Sequence, residues 1–147
     1  MTPKDQDKIS PSILFWVISI IALLWYLMDM SAFFMRIFMS EDALLAMSDN
    51  QRQQIQTTPL WVNCVFAFEV FGGTLGSVGL LLRKRWALAL FVISLLGVLA
   101  QTTYIYFLSN SVALMGWMAI VMPLVAIAIG AGLIVHARSS VSKGWLR

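Results

Sequence analysis

The chain has 147 residues, of which 60% are hydrophobic and 12% charged, whereas an average soluble domain carries roughly a quarter charged residues. With a mean hydropathy of +0.84 it is too apolar for a water-soluble domain, and its net charge of +3 is spread in a way that argues against nucleic acid as a partner. A lone cysteine, Cys64, excludes an internal disulfide and any multi-cysteine metal site.

In chain order, residues 1–12 are polar and broken by Pro3 and Pro11, which predicts a loosely ordered cytoplasmic tail. Lys4 and Lys8 are offset by Asp5 and Asp7, and no small-residue cleavage site follows, so the first apolar run is expected to stay as an anchor. That run, 13–38, is long enough to cross a bilayer and contains Asp29 and Arg36. The connection 40–57 is expected to be external. In it Ser40-Glu41-Asp42 reads as a helix start, and Ser48-Asp49-Asn50-Gln51 has the pattern of a capping box. Thr58 and Pro59 suit the N-cap and first position of the next helix.

The second span, 60–82, holds Asn63, Cys64 and Glu69, followed by Gly72, Gly76 and Gly79 at helical spacing. Cys64 is expected to be a small buried hydrophobe. The glycines let a neighbouring backbone come close, either within the chain or across a homodimer seam. Arg83-Lys84-Arg85 turns the chain into a third span, 86–108, with Gln101 inside it. Ser109-Asn110-Ser111 turns it again into a fourth, 111–135, with Pro123 and the small-residue pairs Ala126/Gly130 and Ala128/Gly132. Pro123 is expected to kink its helix. Residues 136–147 are expected to form a second cytoplasmic tail, with His136 as a helix C-terminal cap.

The cations of the second turn and of the C-terminal segment (Arg138, Lys143, Arg147) mark the cytoplasmic side, against Glu41, Asp42 and Asp49 in the first loop. Trp16, Trp86 and Trp145 would form an inner aromatic belt, and Trp61, Trp117 and the tyrosines an outer one. The expectation is an all-α integral membrane protein: a four-transmembrane-helix antiparallel bundle, N-in and C-in, with residues 1–147 forming a single membrane domain.

An ionisable group within a span is costly and points to function. At about 1.5 Å per residue, Asp29 and Glu69 lie roughly 15 Å below the outer surface and Gln101 roughly 12 Å, with Pro123 near the same level. Arg36 falls on nearly the same face as Asp29. The intramembrane polar site expected from the sequence is therefore Asp29, Arg36, Asn63, Glu69 and Gln101. An Asp29–Arg36–Glu69 charge network holding the helices in register is one reading, and a transport or proton-relay site is the other. Asn63 and Gln101 suit interhelical hydrogen bonding.

Residues 58–63 (TPLWVN), 71–76 (FGGTLG), 81–87 (LLRKRWA) and 93–98 (ISLLGV) resemble small bacterial four-span proteins loosely labelled "sugar transporter", distantly similar to DoxX-like membrane proteins. That resemblance implies a bacterial inner membrane and solute transport, and it assigns no functional residues. A shorter stretch, 68–75 (FEVFGGTL), is similar to the glutamate-containing segment of small multidrug-resistance transporters, whose glutamate binds protons or cationic drugs. There it lies on the first span, whereas Glu69 lies on the second.

No phosphate loop, nucleophile elbow, metal-ligand cluster or lipidation signal is present, so neither an enzyme nor a cofactor is expected. The functional expectation is a small-solute or proton-coupled transporter working as an oligomer. The alternative is an accessory or assembly subunit of a larger membrane complex.

Overall fold

In the computed structural model, residues 10–147 are described and form an all-helical chain. The elements are α1 (Ile13–Ile37), α2 (Glu41–Leu45), α3 (Asp49–Thr57), α4 (Leu60–Leu81), α5 (Trp86–Thr103), α6 (Ser111–Met115) and α7 (Met118–Ser142). A π-helical turn, Tyr104–Leu108, continues α5. The tail expected over residues 1–12 lies, up to residue 9, outside the described residues. Four helices are long and apolar enough to cross a membrane: α1, α4, α5 with its π turn, and α7.

Local chemistry sets the boundaries. Ser12 caps α1 by accepting the Phe15 N–H over 3.3 Å. Ser40 caps α2 through the Ala43 N–H, and the Ser48–Gln51 box opens α3. The second span starts differently from expectation. Thr58 closes α3, its hydroxyl donating to the Gln54 carbonyl over 2.6 Å, so Pro59 is displaced to the N-cap. The fourth span also departs from its expected bounds. Gly116, at φ 66°, breaks it into the short α6 and the long α7, and α7 runs on to Ser142. His136 is therefore inside a helix rather than capping one, and packs on Phe15 at a ring distance of 5.5 Å.

The main packed pairs are α1 with α4, α4 with α5, and α5 with α7. The helices thus follow one another in an arc, α1–α4–α5–α7. Glycine makes the α4–α5 seam close. A Cβ on Gly72 would lie 3.3 Å from the Leu90 carbonyl, one on Gly76 3.1 Å from the Phe91 ring, and one on Gly79 2.7 Å from Trp86. On the other side of α4, a Cβ on Gly73 would fall within the Tyr26 ring of α1. Gly130 meets Leu95 at 3.1 Å, whereas Gly132 faces open space. Ala126 lines a cavity. Cys64 is exposed rather than buried, which places it on the outward face of α4.

The arc closes at one end around Phe15, Ala22, Tyr26, Phe91, Leu133, Ala137 and Leu146. Two helix ends make the same turn there. Arg83 adopts φ 58° and Gly144 φ 73°, and in each turn the next N–H reaches back to the preceding helix, Lys84 to Gly79 and Trp145 to Ser140. The two turns then join. Arg147 N–H donates to the Arg83 carbonyl (2.7 Å), and Arg85 N–H donates to the Arg147 carbonyl (3.1 Å). The Arg83 Nε also bonds the Trp145 carbonyl at 2.8 Å. Leu146, at 0% exposure, is wedged beneath this clasp.

Polarity is arranged inside out. Phe68 (67% exposed) and Leu96 (61%) face outward, while Glu69, Thr74, Ser77 and Ser94 are buried. Ser19, Thr74 and Ser77 satisfy their hydroxyls on the carbonyl one turn earlier, so they pack as small side chains. Such an outer surface suits hydrocarbon and not water, as in a multi-pass membrane protein.

Candidate functional site

Between the closed end and the α3/α6 end lies a cavity of about 310 Å³. All four long helices contribute to its wall: Trp25 and Asp29 from α1, Phe66 and Glu69 from α4, Gln101 and Thr102 from α5, Met122 and Pro123 from α7. The wall is largely apolar, with two carboxylates and two amides set into it. Asp29, Glu69, Gln101 and Pro123, which the sequence places at one depth, thus surround one space.

Glu69 is the most enclosed of these groups, at 6% exposure. Gln101 Nε2 donates to one carboxylate oxygen, Oε2. Glycine explains the depth of the site. Gly97 of α5 lies against Glu69, where a Cβ would come within 3.1 Å of the Glu69 Cβ. Ser94, one turn earlier, donates to the Glu69 carbonyl at 2.9 Å and lies 3.4 Å from the Tyr26 hydroxyl. Asp29 is within electrostatic range of Glu69. Among the described residues no basic side chain pairs with either carboxylate; the ion pair seen joins Arg52 to Asp49 at the other end of the chain's first loop.

Two expected members are not in the site. Arg36 does not line the cavity and makes no ion pair with Asp29 or Glu69, so the Asp29–Arg36–Glu69 network does not form. Two helical turns carry it about 10 Å along α1 from Asp29, into the neighbourhood of Tyr104. Asn63 is also outside. Six residues before Glu69, it sits about 120° away around α4, and its Oδ1 is buried without a partner.

Other wall residues were not legible from the spans. Gln54 comes from α3 and Ser111 from α6, joined by a Gln54 Nε2–Ser111 Oγ hydrogen bond of 2.7 Å. Gln54 Oε1 is buried without a donor. Pro123 adds a further acceptor, because it has no N–H to give the carbonyl of Ala119, another cavity residue. The signal for Trp25, Phe66 and Met122 was present only as apolar helix sequence, which does not separate a cavity wall from a lipid face.

Chemically, the space offers acceptors in an apolar enclosure and little to bind an anion. Among the described residues, no three His, Cys, Asp or Glu side chains come together as metal ligands. Comparison with known families, curated proteins and solved structures finds no match.

Proposed function

We propose that the chain is a small polytopic transporter of the inner membrane, oligomeric and proton-coupled, whose solute site is the cavity holding Asp29 and Glu69. The observation that carries this reading is the pair of carboxylates, without a basic partner among the described residues, enclosed by all four long helices. A carboxylate held in such a place is costly unless it serves binding or proton transfer. Gaining or losing a proton changes its charge, and with it the affinity for a cation or polar solute, which couples the two movements. The packed cluster lies at one end of the helix arc, an asymmetry that suits a site reached from the other end. Orientation follows from charge. Arg83, Lys84, Arg85, Lys143 and Arg147 gather at the clasped end, which we assign to the cytoplasm along with both termini.

The test uses purified protein in vesicles with a trapped pH-sensitive dye. Polyols, zwitterions, organic amines and organic acids are added in turn against an imposed proton gradient. At least one class should drive proton movement, and Asp29→Asn and Glu69→Gln should each abolish it. Equal proton movement in the parent protein and both variants would overturn the proposal.

The accessory-subunit reading draws on the outward face of α7, where Ala128 is exposed and Gly132 has open space beside it. A stoichiometric partner retained in mild detergent would favour it, and a homo-oligomer alone would favour transport.

A further inference from the structure

Two cavities meet at one hydrogen bond. Beyond the Glu69 cavity, at the α3/α6 end, lies a second space of about 230 Å³. Gln53, Thr57, Ser109, Asn110 and Leu114 line it, so its wall is mainly amide and hydroxyl. Gln54 and Ser111 line both spaces, and the bond between their side chains stands in the partition.

That partition is built to give way. Gln54 uses its Nε2 on Ser111 but leaves Oε1 buried without a donor. Swinging the amide into the outer space exchanges one hydrogen bond for hydration of both its ends, so opening costs less than breaking a fully satisfied contact. Ser111 sits on a helix of five residues. Gly116, at φ 66°, follows that helix and can change conformation without a Cβ clash. Before it, Ser109 Oγ and Ser111 Oγ lie 2.6 Å apart, so Ser111 keeps a hydroxyl neighbour when Gln54 leaves. The π-helical turn Tyr104–Leu108 lies immediately upstream, a feature often found beside functional sites.

The Glu69 cavity also borders the seam between α1 and α7, which are not among the closely packed helix pairs. Met118 and Met122 line that side, 47% and 51% exposed, and Met28 on α1 is exposed as well. A polar solute would have to cross apolar surface there. The outer space is lined mainly by side chains that can hydrogen-bond.

We propose that the Gln54–Ser111 hydrogen bond is the gate on the aqueous route to Glu69, and that the amide- and hydroxyl-lined space outside it is a vestibule where a water-borne polar solute is first held. This rests on the transport reading and adds the place of entry and two gate residues. Gln54 and Ser111 act through the opening they control.

Accessibility to a membrane-impermeant methanethiosulfonate reagent tests it, with the full chain in lipid nanodiscs and Cys64→Ser as background. Thr102→Cys, a nearly isosteric change in the cavity wall, reports entry. Leu114→Cys reports the vestibule. Removing the gate bond by Gln54→Ala or Ser111→Ala should speed labelling of Thr102→Cys about five- to tenfold, the worth of one hydrogen bond. Ser111→Phe should slow it, and Leu114→Cys should react at the same rate in every background, which also shows that the fold is intact. A Thr102→Cys rate indifferent to all three changes would overturn the gate and assign entry to the α1/α7 seam. Labelling reads entry and not flux. A protein that passes this test but shows no solute-driven proton movement would keep the gate as the mouth of a binding cavity while losing the transport reading.

Discussion

Replacing Gly73 by alanine places a methyl group where the Tyr26 ring already stands. Two effects oppose each other. Alanine is favoured over glycine inside a helix by about 1 kcal/mol, whereas forcing an extra carbon into a packed interior costs about 1–3 kcal/mol. Tyr26 has little freedom to yield. It is 3% exposed, its ring centroid lies 6.3 Å from that of Phe91, and its hydroxyl lies 3.4 Å from Ser94 Oγ. The upper part of the packing range therefore applies, leaving a net loss of about 1–2 kcal/mol. At about 2–4 °C per kcal/mol, the melting temperature in detergent should fall by about 2–8 °C. Gly132→Ala is the control. Among the described residues, no atom outside the helix's own local backbone lies within 4 Å of a Cβ there, so only the helix preference remains and the melting temperature should hold or rise. A second background isolates the ring: once Tyr26→Ala has removed it, adding Gly73→Ala should be neutral or stabilising. Equal losses from Gly73→Ala with and without the Tyr26 ring would refute the reasoning.

Gly76→Leu should destabilise the fold by about 3 kcal/mol, seen as a smaller folded peak in fluorescence-detected gel filtration, because a Cβ there already crowds Phe91 at 3.1 Å. Leu81→Ala, at the half-buried end of α4, should cost about 1 kcal/mol; a parent-like profile for Gly76→Leu would show that the α4–α5 contact is not what holds the fold. Arg83 sits at φ 58° and bonds the Trp145 carbonyl. Both Arg83→Gly and Arg83→Ala lose that bond, but only glycine is relieved of the left-handed strain, worth about 1 kcal/mol. Arg83→Gly should therefore melt about 2–4 °C above Arg83→Ala, and the reverse order would remove the strain from the account.

Features set by neighbours in sequence were readable before the structure. The Ser40 cap and the Ser48–Gln51 box depend on contacts three residues apart, and both form. The shared depth of Asp29, Glu69 and Gln101 follows from helical rise alone, since the spans run side by side. Arg36 shows where that reasoning stops. Face periodicity places it above Asp29, but the two turns between them exceed what their side chains bridge here. Thr58 and Pro59 show competition between two helix ends for one pair of residues, and the hydroxyl bond to Gln54 decides it. The break at Gly116 was hidden inside an apolar run long enough to span without interruption. Gln54 and Ser111 lie 57 residues apart in short flanking helices, and no periodicity links them.

The clasp between residues 83–85 and 145–147 has a consequence for biogenesis. During synthesis the Arg83-Lys84-Arg85 turn emerges well before Leu133, Ala137 and Leu146, three members of the cluster that shuts that end. Until α7 packs and its end docks on the turn, that end lacks three of its buried residues and the Glu69 cavity lacks the wall that α7 supplies. Closure of a loop this long carries an entropy cost, which the packing of α7 on α5, the clasp bonds and the burial of Leu146 offset together. A chain lacking residues 143–147 would lose the clasp bonds and Leu146 together, and with them what ties the last helix end to the Arg83-Lys84-Arg85 turn.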